Sequence, residues 1–307
     1  MSSSSGPSSG LPVRMPRPRQ PGRHRRPEPV TAPEGAPALV LAVPGTPSSA
    51  TRSLAEEVVS IARSELPGLD ARVGYVESAD EEFPSLRRVL SEAAEDGGDG
   101  GGPDGEDVEQ EAMAWPAPVV VPLLAGPDSA HQRVIRQAVL DSGTGAALTD
   151  VLGPHPLLAE AVHVRLSEAG LARADRARLF TVATAADGIV LVTIGGEEAV
   201  QAAGITGMLL SARLAVPVLA AALDLDGSVA TTAERLTEAG SQQLALAPCL
   251  IGPEIPDGLL TAGANEAGCP SAEPLGAYPA VGRLVLSAYM AEVGISPDRP
   301  PHGTSVR

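Results

Sequence analysis

One apolar strand and the turn that closes it occur twice in this chain. Val119-Val120-Val121-Pro122-Leu123-Leu124-Ala125-Gly126-Pro127-Asp128-Ser129-Ala130-His131 runs from a continuous apolar stretch into a polar turn, broken by Gly and Pro, that enters a helix. Leu246-Ala247-Pro248-Cys249-Leu250-Ile251-Gly252-Pro253-Glu254 repeats the order of apolar run, proline, apolar residues, Gly-Pro and an acid. Only the first copy goes on to a histidine. The neighbouring segments repeat as well. Ala38–Val43 ends at Pro44-Gly45-Thr46 as Gly188–Ile194 ends at Gly195-Gly196-Glu197, and Leu152-Gly153-Pro154-His155-Pro156 is mirrored by Leu275-Gly276-Ala277-Tyr278-Pro279. Two blocks in register point to internal duplication, with the halves packed about a pseudo-twofold axis and a cleft between them.

Within each block short apolar runs alternate with helical periodicity. The run 38–43 reads as a strand covered on both faces. Leu54, Val58 and Ile61 recur at helical spacing between Ser49 and Leu66, before Pro67-Gly68 stops the pattern. Strand Arg72–Val76, helix Phe83–Ala94, the strand from Val119 and a helix from Ser129 to about Leu140 follow, the last with Val134, Ile135, Ala138 and Val139 inward. Leu148–Val151 leads into a loop, and Pro156 opens the next helix. In the second block the expected elements are strand 188–194, helix 199–214, strand 216–220, helix 229–239, strand 244–250 and helix 280–293. This rhythm predicts an α/β protein with two parallel-sheet domains, 38–170 and 186–293. Residues 1–37, rich in Ser, Pro, Gly and Arg, and residues 294–307 are expected to be disordered tails, and the acidic, glycine-heavy run 95–111 a disordered insertion. That run lacks the spacing and closing glutamate of an EF-hand.

Composition narrows the function. A net charge of −16 and 2% aromatic residues disfavour nucleic acid, which needs phosphate-binding cations and stacking platforms. All 22 basic side chains are arginine, which reads as coding bias. No apolar run reaches the length of a membrane span, and no secretory segment precedes the fold, so a soluble, cytoplasmic protein is expected. Cys249 and Cys269 lack CxxC spacing and are expected to be reduced. There is no GxxxxGK[ST] phosphate loop, no GxGxxG opening a helix, no GxSxG elbow between a strand and a helix, and no HExxH helix.

Ligands of an open parallel sheet bind beyond the carboxyl ends of its strands. That rule selects Pro44–Ser48, Gly126–Arg133, Gly195–Glu198 and Gly252–Asp257. His131, in the first turn of its helix, can ligate a divalent metal or accept a proton near neutral pH. Asp128 either caps that helix or orients His131. Arg133 and Arg136 lie on the same helix, where they either meet an anionic ligand or are solvated. His155 sits between two prolines and His163 on a helix, whereas His24 and His302 fall in the tails.

A Gly-Thr turn after the first strand, the segment Arg72-Val73-Gly74-Tyr75-Val76-Glu77, the strand Val119–Leu124 with a following His131, and Leu152–Leu158 together resemble the sirohydrochlorin chelatases, over about Pro37 to Val293. The resemblance implies two flavodoxin-like domains facing a cleft that receives a tetrapyrrole, and insertion of iron or cobalt on a sirohaem or cobalamin route without nucleotide hydrolysis. The divalent metal would then be a substrate, and no permanently bound cofactor is implied. It further implies His131 as catalytic group, His131 and Asp128 as metal ligands, and Gly45, Thr46, Arg72, Gly126 and Arg133 as substrate-binding residues. The chain departs from the family where Pro44 stands at the position of its usual first histidine, in His-Gly-Ser. Two readings follow: a chelatase working with His131, or a catalytically degenerate relative that binds a tetrapyrrole, a metal or a protein.

Overall fold

The structure, a computed structural model, describes residues 31–77, 81–98, 117–172 and 186–295. Most of both tails and of the acidic insertion lie outside the described residues, as do His24 and His302.

The first half contains β1 (Leu39–Val43), α1 (Ser49–Glu65), β2 (Ala71–Tyr75), α2 (Leu86–Gly98), β3 (Val119–Pro122), α3 (Ser129–Ser142), β4 (Ala147–Leu148) and α4 (Pro156–Glu168). The second contains β5 (Gly188–Thr193), α5 (Gly196–Leu214), β6 (Val218–Ala222), α6 (Ser228–Glu238), β7 (Leu244–Pro248), α7 (Leu259–Ala267) and α8 (Pro279–Val293). All strand pairs are parallel, in the orders β2-β1-β3-β4 and β6-β5-β7. A lone parallel bridge between Leu246 and Ser271 occupies in the second sheet the place that β4 holds beside β3. The two halves therefore repeat one plan.

Alternation along the strands builds the core. Leu39, Leu41, Val119 and Val121 of the first sheet, with Ile189, Leu191, Ala245 and Ala247 of the second, point into one shared cluster that includes α1, α4 and α8. The intervening residues face outward layers of their own: Val40, Ala42 and Val120 pack on α2 and α3, and Val190, Val192 and Leu246 on α6. β1, β3 and β5 are thus buried on both faces, the reason their sequences read as unbroken apolar runs. Helix packing across the halves is reciprocal, since α1 lies on α8 and α4 on α5. Among the described residues no helix is long and apolar enough to cross a membrane.

Several expectations need correction. Val134 is 48% exposed, because Ile135 and Val139 alone are the buried residues of α3. α2 runs four residues into the stretch read as insertion, where Asp96 is anchored by an ion pair to Arg72 at 2.9 Å. Residues 31–37 are ordered: Ala32 donates its N–H to the Pro67 carbonyl, and the buried Tyr289 hydroxyl donates to the Pro37 carbonyl at 2.7 Å. β6 begins two residues later than expected, α5 starts already at Gly196, and β4 and α7 were not anticipated.

α8 approaches α1 of the other half closely at Gly282, where an added Cβ would lie 2.5 Å from Cγ2 of Ile61. A β-branched Ile cannot swing away from that point. Gly282→Val is expected to destabilise the protein by about 2 kcal/mol through overpacking, read as a lower urea midpoint at unchanged slope.

Candidate functional site

The site forms where the carboxyl ends of the two sheets meet. After β3, Leu123, Leu124 and Ala125 remain buried, and the chain turns at Gly126-Pro127. Asp128 then caps α3: its Oδ1 accepts the N–H groups of Ala130 at 2.9 Å and His131 at 3.1 Å. Its Oδ2 lies 2.7 Å from Nδ1 of His131. A proton on Nδ1 is held by that carboxylate, which leaves Nε2 as the free lone pair of a neutral ring. Nε2 points toward Glu77 at the end of β2, 4.0 Å from its Oε1.

A third carboxylate comes from the other half. Glu254, only 3% exposed, folds back on its own turn and accepts the N–H groups of Ile251 at 2.6 Å and Gly252 at 2.8 Å. Burial raises its pKa, against the lowering effect of those amides and of His131. His131 in turn is raised above its ordinary 6.5, first by the hydrogen bond to Asp128 and further by the charges of Asp128, Glu77 and Glu254, while desolvation works the other way. Asp128 is lowered from 3.8, chiefly by the same hydrogen bond to His131.

The two halves interlock around this point. Gly45, at φ +77°, lies against the Pro253 carbonyl, where an added Cβ would be 2.0 Å from the oxygen. Gly195, at φ +117°, lies against the Pro127 carbonyl and the Cα of Asp128, at 2.4 and 3.1 Å from such a Cβ. Gly126 faces Oγ1 of Thr193 at the end of β5.

The structure brings His131, Asp128, Gly126 and Gly45 to this junction, with Thr46 exposed beside Gly45. It gives Asp128 both of the roles that its position in the sequence offered, cap and orienting acceptor, and engages both of its oxygens in them, whereas the family resemblance implied a metal ligand. Arg72 lies near the amino end of β2, paired with Asp70 at 2.7 Å and with Asp96, and is not brought to His131. Arg133 and Arg136 are exposed, without an ion pair among the described residues. Pro44 is buried. Nδ1 of His155 caps α4 by accepting the Leu157 N–H, and the buried His163 is engaged by Nε of Arg213 at 2.8 Å. Both cysteines are free, and burial pushes the Cys249 thiol up to about 12. Among the described residues no three or more His, Cys, Asp and Glu side chains form a group that could hold a metal.

Sequence reasoning did not single out Glu77 or Glu254. Glu77 had a legible signal, as the first acid beyond a strand's carboxyl end. Glu254 lies in the loop Gly252–Asp257 that the strand-end rule selects, and it aligns with Asp128.

The sequence matches no protein-family model and no curated relative. Solved structures are informative. SirB from Bacillus subtilis with Fe3+ is 14% identical over 85% of this chain and 100% of its own, with a TM-score of 0.57. The sirohydrochlorin chelatase SirB from Bacillus subtilis subspecies spizizenii in complex with cobalt is 13% identical over 84% of this chain and 96% of its own, with a TM-score of 0.53. The fold is similar to that of SirB. At these identities the likeness concerns the chain's architecture.

The sign of the His131–Asp128 coupling is testable. The raised histidine stabilises the fold below its ordinary pKa and loses this as pH rises through the raised value. The lowered aspartate stabilises above its ordinary pKa and loses this as pH falls through the lowered one. The pair therefore contributes most between 3.8 and 6.5. Asp128→Asn, which keeps a capping oxygen but no charge, is expected to lower the His131 midpoint in an NMR titration and to reduce stability in that window. An unshifted midpoint would refute the assignment.

Proposed function

We propose that the protein is a metal chelatase of the SirB type, inserting divalent iron or cobalt into a carboxylate-bearing tetrapyrrole such as sirohydrochlorin. The observation that carries this reading is His131, held through Nδ1 by Asp128 so that Nε2 is presented toward Glu77 at the junction of a SirB-like fold. Metal insertion requires the two pyrrole N–H protons to leave as the cation arrives. A neutral imidazole accepts one, and a nearby carboxylate attracts the cation and accepts the second. The negative field of Glu77 and Glu254 favours a divalent cation. The exposed Arg133 and Arg136, one and two turns along α3, offer positive charge to ring carboxylates. No nucleotide enters this scheme.

A second reading, a degenerate relative that binds a tetrapyrrole, a metal or a protein without catalysis, is favoured by the buried Pro44 and by the absence of a three-donor cluster among the described residues. Proline supplies neither a ligand nor a base.

The two readings part in a visible-absorption assay of sirohydrochlorin with ferrous iron or cobalt. The chelatase reading expects conversion faster than without protein, a loss of tenfold or more in His131→Ala, and a rate that rises with pH through the raised His131 pKa. In Asp128→Asn the rise is expected at lower pH. A ring-binding shift without metal insertion would establish the degenerate binder, and conversion indifferent to His131 would remove that residue from the mechanism.

A further inference from the structure

The second half supplies no histidine, yet one of its loops forms the wall behind Asp128. Gly195 lies so close to the Pro127 carbonyl and to the Cα of Asp128 that an added Cβ would be 2.4 and 3.1 Å from them. Beside it, Ala199, Ala202 and Ala203 of α5 face Ala125, Gly126 and Pro154 of the first half across a gap too narrow to hold a water molecule. The placement of the Asp128 turn therefore follows that of the Gly195-Gly196 turn.

Little within that second turn fixes it. Two consecutive glycines, at φ +117° and +68°, have wide backbone freedom. Gly195 is also the N-cap of α5, so the helix starts without a side-chain cap of its own. The missing acceptor comes from the loop after β6. Asp224 accepts the Gly195 N–H through Oδ2 at 3.1 Å, and the Gly196 N–H through Oδ2 at 3.1 Å and Oδ1 at 3.3 Å. A carboxylate on the first amides of a helix also meets its positive end.

The first half closes its corresponding loop differently. Val76 donates its N–H to the Val43 carbonyl as Leu223 does to the Thr193 carbonyl, so the residues that follow, Glu77 and Asp224, occupy matching positions. There α1 is closed by its own capping box of Ser48 and Thr51, and Glu77 is turned toward Nε2 of His131 at 4.0 Å. In the second half the matching acid is bound to amides instead.

We infer that Asp224 is a positioning residue for His131: it anchors the Gly195-Gly196 turn, which backs the turn at Pro127 and Asp128, and Asp128 holds the imidazole through Nδ1. Its effect on metal insertion rests on the chelatase reading above, whereas its effect on the geometry of His131 does not.

Histidine NMR titration of the full chain, and the sirohydrochlorin assay with cobalt, test this on one set of variants. Asp224 is exposed, and Asp224→Ala is expected to leave circular dichroism unchanged. It is expected to move the His131 midpoint down toward its ordinary 6.5 as the Asp128 hydrogen bond loosens. Conversion is expected to slow about tenfold, the lower end of the cost of removing a residue that orients a metal-site histidine. Asp224→Asn keeps an oxygen able to accept both N–H groups but loses the charge, and is expected to stay near wild type in both readouts. Asp187→Ala is the structural control. That carboxylate likewise accepts two backbone N–H groups, of Gln242 and Gln243, but at the amino end of the second sheet. Its loss is expected to lower stability without moving the midpoint. A midpoint that Asp224→Ala leaves unmoved, or moves no more than Asp187→Ala does, overturns the inference, and so does an equal fall in Asp224→Asn, which would assign the effect to charge alone. If the wild type does not convert the ring, the chelatase reading fails and the midpoints still decide the role of Asp224.

Discussion

Two glycine-to-carbonyl contacts set the geometry on which the rest of the molecule depends. Gly45 of the β1 loop rests on the Pro253 carbonyl, and Gly195 of the β5 loop rests on the Pro127 carbonyl. Each half thus offers its first-strand loop to the third-strand loop of the other, as a pseudo-twofold demands. Both glycines have positive φ, and both approaches are too close for a side chain. These contacts hold the carboxyl ends of the two sheets against each other. They thereby bring Glu254 of one half into the field of His131 of the other.

At that junction the duplicated acids have taken different work. Asp128 caps a helix and orients an imidazole, so its charge is used twice. Glu254, at the matching position, has no histidine to serve and satisfies itself on the amides of Ile251 and Gly252. Buried and folded back on those amides, it is not presented as a ligand. The asymmetry follows from sequence: only the first Gly-Pro-acid turn continues directly into a helix bearing His131, whereas the second runs through Ile255, Pro256 and Asp257 before α7 begins at Leu259.

Most of the architecture was legible because both sheets have helices on each face, which writes β1, β3 and β5 as apolar runs and α1 as a helical period. What escaped notice depended on partners outside the local pattern. Val134 fits the apolar period of α3, yet its side of the helix meets no layer, and it stays exposed. The acidic 95–98 stretch looks incapable of structure until Arg72 reaches Asp96 across from β2. That same ion pair explains why Arg72 is not at the site: a strand of five residues separates its amino-end arginine from the Glu77 that follows its carboxyl end. His131 and Asp128 were legible from spacing. Glu77 could be seen as an acid beyond a strand's end, but its nearness to His131 could not, because that depends on strand order, with β1 lying between β2 and β3.

The same reasoning shows how one duplication yields two kinds of surface. Packing constrains the buried stripe of α1 and of α5 equally, so those positions stay small and apolar in both. The outward stripes carry no such constraint, and there the halves have moved apart: at a constant offset Glu56, Glu57 and Ser60 of α1 stand where α5 has Gly204, Ile205 and Met208. The sheet edges differ by a single carbonyl. That of Ala71 accepts the Arg63 guanidinium, whereas Ser211, at the matching position of α5, bonds the Val216 carbonyl. Tyr75 and Ala222 each give their outward N–H to an acceptor beyond the strand, so both edges are closed at the same end, where the loops that carry the site begin.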